Sequence, residues 1–250
     1  MVWMSVFQMF SMIVSFRNFA LMTALAVLMC IAGTGRGQSS LFTVPTTDVV
    51  EEKKLYVEAD FDAHLDRLSK AGWQSYGFSA VYGASTRTEI GLNGYLIRTA
   101  DGVEPVELQP NFKYKAFNNE SKGVAVSFGA IGYLPVTKNG LRNSTASIYA
   151  VASKEVKGDY APRVTGGVYQ MIGALNGERD TRGYLVGIEQ PVHKRVTIIG
   201  EWNSAKNRFG YAAAGLGITL TKRSYLWAAY CFGNERRANN SLGIYYGVDF

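Results

Sequence analysis

The sequence is short of the residues that bind metals or form cross-links, since it has two histidines and two cysteines in 250 residues. This scarcity excludes a zinc or iron–sulfur site built from several such ligands. Charged residues are also scarce, at 18% of the chain, against about 25% in an ordinary soluble domain. A mean hydropathy of −0.02 excludes a bundle of transmembrane helices. What remains is a folded chain with 27 glycines and 15 tyrosines but only six prolines.

The net charge of +6 is spread along the chain without a run of like charges. This distribution does not predict a nucleic-acid partner. The sequence also has no phosphate-binding loop, EF-hand loop or HExxH motif. We therefore expect no cofactor and no metal.

The first forty residues contain one apolar run, Phe19–Ala32, which follows Arg17 and precedes the small polar stretch GTGRGQSS. A basic flank, a short apolar run and a small-residue exit predict a secretory signal peptide. We assign it to residues 1–37, with Met12 as an alternative start. An uncleaved anchor is the rival interpretation, but the run is short for a span of about 20 residues. A lipoprotein cysteine at Cys30 is a weaker alternative, because no small residue precedes it.

From Leu55 onward the apolar residues recur at every second position. In the first such segment, apolar residues from Leu55 to Leu65 alternate with Tyr56, Glu58, Asp60, Asp62 and His64. On a strand this pattern places all the carboxylates on one face, whereas a helix would scatter them. Its length matches a membrane-crossing strand of about 9–11 residues rather than a soluble strand of about 5–6.

Similar segments separated by turn signals recur to the C-terminus, and we predict about twelve strands, give or take two. The fold class is all-β: a closed antiparallel transmembrane β-barrel over residues 55–250, preceded by a signal peptide and a short mature segment, residues 38–54. No connection is long enough for a crossover helix, so all pairing should be antiparallel. With every connection short, there is also little loop to fold in as a plug or constriction.

The C-terminal strand carries the most specific signal. The chain ends in LGIYYGVDF, in which apolar and aromatic residues alternate up to a terminal phenylalanine: Leu242, Ile244, Tyr246, Val248 and Phe250. This ending resembles that of bacterial outer-membrane β-barrel proteins, a porin-like class. The resemblance implies an outer-membrane location in a Gram-negative envelope. It also implies contact with outer-membrane lipid and recognition of these five residues by the barrel-assembly machinery.

If the apolar face of each strand meets lipid, the opposite face lines the lumen. The predicted lumen residues are Glu58, Asp60, Asp62, His64, Glu107, Asn111, Lys113, Lys115 and Glu201. Acidic residues on one wall and basic residues on another would create a transverse field that orients small polar solutes. The alternative is that these charges pair with one another across a narrow interior.

We predict a passive channel for small polar solutes or a structural envelope protein. An enzyme is not expected, because no catalytic motif is recognisable. The alternatives are a lipid-modifying enzyme centred on His64, with Asp60 and Asp62 on its face, and a barrel component of exopolysaccharide or other envelope export.

Overall fold

The computed structural model describes residues 39–138, 140–158, 160–173, 179–235 and 237–250. The predicted signal peptide, residues 1–37, and the possible start at Met12 lie outside the described residues. Within them, no helix is long and apolar enough to cross a membrane. The division of the chain at residues 37 and 54 stays a prediction.

The described chain is built almost entirely of β-strands, with three short 3₁₀ turns at Leu68–Lys70, Gly140–Asn143 and Arg237–Asn239. The strands are β1 (Leu55–His64), β2 (Trp73–Ser85), β3 (Thr88–Thr99), β4 (Gly102–Val103), β5 (Glu107–Asn119), β6 (Val124–Pro135), β7 (Thr145–Glu155), β8 (Arg163–Gly173), β9 (Arg182–His193), β10 (Val196–Asn203), β11 (Tyr211–Thr219), β12 (Ser224–Gly233) and β13 (Ser241–Asp249).

Each long strand pairs with its neighbours along the chain, and β1 also pairs with β13. The ring is closed by this pairing, in which the backbone N–H of Phe250 donates to the carbonyl of Leu55 at 2.8 Å. The two-residue strand β4 pairs only with the end of β3. The remaining twelve strands form a closed antiparallel barrel, which confirms the predicted fold class and strand number.

Burial in this barrel is the reverse of that in a soluble protein. Ile90 and Phe128 face outward and are 49% and 47% exposed, whereas the preceding residues, Glu89 and Ser127, are 2% and 0% exposed. Other strands repeat the pattern, with large apolar side chains outside, and with polar side chains inside together with some apolar ones. An apolar exterior around a polar interior suits a barrel whose outer surface meets lipid.

Most of the segment before β1, residues 39–50, lies inside the barrel. Leu41, Val44 and Val50 are each 1% exposed, and they pack in one apolar cluster with inward-facing Val151 and Met171. The expectation of little loop to form a plug concerned only the connections between strands. The segment that fills the lumen is not one of them, because it precedes the first strand.

The two ends of the barrel differ in their connections. We call the end that holds Leu55 and Phe250 the terminal end, and the end that holds His64 and Ser241 the loop end. At the terminal end the strands are joined by residues 86–87, 120–123, 156–162, 194–195 and 220–223. At the loop end every connection has at least seven residues, a length that only 156–162 reaches at the terminal end: residues 65–72, 100–106, 136–144, 174–181, 204–210 and 234–240.

Candidate functional site

The N-terminal segment is held in the lumen by Glu201 on β10. The carboxylate of Glu201 accepts hydrogen bonds from the backbone N–H groups of Phe42 at 3.0 Å and Val44 at 3.1 Å. It also accepts bonds from the backbone N–H and the hydroxyl of Thr43, at 3.2 and 3.0 Å. The segment has no sheet partners for these N–H groups, so a single buried carboxylate satisfies them.

A second attachment involves the ion pair between Lys113 on β5 and Glu89 on β3. Their nitrogen and oxygen atoms are 3.2 Å apart, and both side chains are 3% exposed. The Lys113 ammonium also donates to the backbone carbonyls of Ser39 and Asp48, and Glu89 accepts from the backbone N–H of Val50 at 2.8 Å. Each partner of the pair therefore also binds the segment.

A third attachment is the contact of Asp48 with Arg163 on β8. The guanidinium of Arg163 donates to Asp48 and to Glu189 on the neighbouring strand. Burial acts to raise the pKa of Asp48, but the charge and hydrogen bond of Arg163 outweigh it, so this pKa lies below its ordinary value. Asp48 is therefore ionised at neutral pH and paired with a cation.

Close packing adds to these polar attachments. Gly187 on β9 faces the segment, and a β-carbon built there would lie 2.1 Å from Cδ1 of Leu41. Only glycine lets the Leu41 side chain approach the wall this closely. The segment therefore fits a shaped recess as well as a set of charges.

The loop end is narrowed by the connection of residues 204–210. Its Arg208 guanidinium donates to both carboxylate oxygens of Glu107, at 2.7 and 2.8 Å, and lies over the rings of Tyr133 and Phe209. Asn207 is buried and donates to the hydroxyl of Tyr169 at 2.7 Å. Because Glu107 begins β5, far round the ring from β10, the connection reaches across the mouth of the barrel.

Between the segment and this connection lies a cavity of about 550 Å³. Its segment side includes Phe42 and Pro45, and its loop end includes Arg208 and Phe209. The walls carry five carboxylates, Glu58, Asp60, Asp62, Glu89 and Glu107, and many aromatic rings, including Trp73, Tyr95, Tyr133, Tyr149, Tyr169 and Tyr245. This volume falls within the range of about 300–1,000 Å³ that is usual for small-molecule sites.

The structure brings most of the predicted lumen residues together. Glu58, Asp60, Asp62, Glu107, Asn111 and Lys113 line the cavity. Glu201 lies beneath the N-terminal segment, and Lys115 lies next to a register shift in β5, towards the terminal end. Their participation in solute passage stays a prediction.

Ion pairs between wall residues alter the transverse electric field that the sequence predicts for the lumen. Lys113 is paired with Glu89, and Arg208, which the sequence analysis missed, is paired with Glu107. None of the ion pairs found among the described residues includes Glu58, Asp60 or Asp62. The acidic wall therefore stands without a basic counterpart beside it.

His64 lies at the loop end rather than with the acidic wall. Its ring nitrogens contact the carbonyl of Asn240 at 2.6 Å and the carboxylate of Asp66 at 3.3 Å. The predicted neighbours Asp60 and Asp62 instead accept hydrogen bonds from Tyr95 and Tyr245. In the part of the chain that the structure describes, no group of three His, Cys, Asp or Glu side chains is placed to hold a metal ion.

Sequence reasoning missed Asp48, Arg163, Arg208 and the inward tyrosines. Asp48 lies in a segment without periodicity, and Arg208 lies in a connection. In such places an alternating pattern cannot predict whether a side chain points into the barrel. The predicted lumen residues included no tyrosine. A signal for their inward position exists, because glycines at inward positions of neighbouring strands leave room for large rings: a β-carbon at Gly77 would lie 2.4 Å from the ring of Tyr95.

A closed ring of antiparallel strands with an apolar outside and a polar inside defines a bacterial outer-membrane β-barrel. No protein-family model matches the sequence, and no curated protein sequence matches it.

Several solved barrels are similar in structure. Outer membrane phospholipase A from Escherichia coli is 11% identical, with a TM-score of 0.48 over 88% of this chain and 98% of that one. Omp33 of Acinetobacter baumannii is 8% identical, with a TM-score of 0.41 over 80% and 98%. The translocator domain of the autotransporter NalP from Neisseria meningitidis is 10% identical, with a TM-score of 0.39 over 94% and 95%. Similarities this remote carry no activity from those proteins to this chain.

Proposed function

We propose that this protein is a gated outer-membrane channel for small polar solutes, in which residues 39–50 are the gate. The observation that carries the proposal is the kind of contact that holds the segment. Glu201, the Lys113–Glu89 pair and Arg163 are wall groups that bind the segment through charge and hydrogen bonds. The same groups would line a water-filled lumen if the segment moved out.

A permanent plug has less need of such groups. Replacing buried ion pairs with apolar residues of similar volume is often neutral or stabilising, so a barrel that never opens could be filled with apolar side chains. A lumen that is wet in one state and filled in another needs polar walls that both water and the segment can satisfy. The inner face of this barrel meets that requirement.

The lengths of the connections suggest how the barrel is oriented in the membrane. In bacterial outer-membrane barrels the periplasmic turns are short and the external loops are longer. By this rule the terminal end faces the periplasm and the loop end faces outward. The gate then closes the periplasmic half of the lumen, and the cavity lies between the gate and the outer surface of the cell.

The experiment is single-channel recording in a planar bilayer, comparing residues 39–250 with residues 51–250. The shorter chain should conduct steadily, because the segment that fills its lumen has been removed. The longer chain should stay closed for most of the record. Heat-modifiable gel mobility checks that both are folded. A folded shorter chain without conductance would overturn the channel, and steady conductance by the longer chain would overturn the gate.

A further inference from the structure

The acidic wall of the cavity takes part in none of the ion pairs formed by the described residues. Glu58, Asp60 and Asp62 occupy successive inward positions on β1, and their cross-strand neighbours on β2 and β13 are small or uncharged. These neighbours are Ser79 and Gly247 beside Glu58, Gly77 and Tyr245 beside Asp60, and Ser75 and Gly243 beside Asp62. Three carboxylates in one row without a cation are costly unless something else compensates them.

The fold supplies each carboxylate with one tyrosine hydroxyl. Tyr56 donates to Glu58, Tyr95 donates to Asp60 at 2.8 Å, and Tyr245 donates to Asp62 at 2.8 Å. A carboxylate has about four lone-pair positions, so one donor leaves capacity for others. The rings that carry the hydroxyls stand around the same wall.

One oxygen in this row is buried without a partner. The Oδ1 atom of Asp60 has no hydrogen-bond donor, although Asp60 is 7% exposed and lines the cavity. The Oδ1 atom of Asn203, on another part of the same lining, is likewise buried without a donor. Buried acceptors are nearly always satisfied, so these two atoms point to a donor that the polypeptide does not provide.

The opposite wall has a different character. In the ring order β8 is diametrically opposite β1, and the cavity there is lined by Tyr169 with Tyr149 and Leu185 from the adjoining strands. The cavity thus has an acidic side, an apolar and aromatic side, and room for more than a single ion. A molecule that matches it carries a positive charge on an apolar body.

We propose that this cavity binds an organic cation, with an ammonium or guanidinium group on the Glu58–Asp60–Asp62 row and an apolar part against Tyr149, Tyr169 and Leu185. Aromatic faces also attract such cations. The proposal deepens the proposed function by naming the solute class, and it rests on that function only for passage through the barrel. Binding to the cavity is measured without transport.

The test is calorimetric titration of residues 39–250 in a non-ionic detergent with three probes that share one ring: benzylammonium, benzyl alcohol and benzoate. Calcium chloride is the fourth titrant. Of the four titrants, we expect only benzylammonium to bind saturably. Asp60→Asn and Asp62→Asn should each weaken it by about tenfold or more, because each removes a charge-assisted bond without changing the shape. Glu120→Gln removes one charge in an exposed turn and should leave affinity unchanged.

Equal binding of benzyl alcohol or benzoate would overturn the proposal, because charge would then not select the ligand. Binding of calcium alone would replace it with an inorganic site, and the absence of any saturable binding would overturn it outright. If the folded Asp60→Asn and Asp62→Asn variants both bind benzylammonium with unchanged affinity, the ligand binds elsewhere. None of these results alters the conductance of residues 51–250, so failure of the cation site is distinguishable from failure of the channel.

Discussion

At the scale of the residue, Glu201 holds the segment through its backbone N–H groups. Its carboxylate is the acceptor for the backbone N–H groups of Phe42 and Val44, which are buried. Glu201→Ala leaves those donors unsatisfied, and each unsatisfied buried donor costs about 1–3 kcal/mol. We expect more frequent openings of the mature chain in bilayer recordings. Glu155→Ala, at an exposed strand end, is the control, and equal opening rates in the two variants would contradict the assignment of Glu201.

Gly187 gives a second prediction at this scale. Gly187→Val should displace Leu41 and lower the midpoint of heat-modifiable mobility, since overpacking costs about 1–3 kcal/mol. Adding Leu41→Ala should relieve the clash, because the nearest other atom to the new β-carbon, apart from Leu41, lies 3.9 Å away. The double-mutant cycle measures this coupling directly. Additive effects of the two changes would mean that Leu41 does not pack on β9 as described.

At the scale of the element, the connection of residues 204–210 narrows the mouth through Arg208. In the chain lacking residues 39–50, Arg208→Met should raise the single-channel conductance, because the bond to Glu107 no longer holds the connection across the opening. Arg223→Met, in a turn at the terminal end, is the matched control and should not change it. If both variants conduct like the parent, the connection does not limit passage.

Elements also differ in how well the sequence predicts them. Strands β1 and β13 were predicted with ends within one residue of those observed, because a two-residue period is a local property. Segment 39–50 has no period. Its contacts are with Glu89, Arg163 and Glu201, which are far away in the sequence, and only a closed ring brings them together. The cavity could not be predicted for the same reason, although its acidic residues were placed on one face.

At the scale of the whole molecule, the C-terminal strand closes the ring and carries the predicted assembly signal. Its outward alternate positions include exposed Ile244, Tyr246 and Phe250. We propose that the assembly machinery reads this row, so Phe250→Ala should reduce the amount of heat-modifiable barrel in outer-membrane fractions. Phe232→Ala, an exposed phenylalanine on β12, is the control. Equal yields of the two variants would show that the terminal phenylalanine is not read.

The central claim is that the chain fills its own lumen with residues 39–50, and thiol accessibility tests it most directly. In a Cys231→Ser background, Val44→Cys and Lys53→Cys place one thiol at a buried position and one at an exposed position. The folded barrel is treated with a bulky hydrophilic maleimide. We predict that the thiol at position 53 reacts at once, while the thiol at position 44 reacts at least about tenfold more slowly until the barrel is heat-denatured. Equal rates in the folded barrel would contradict the account.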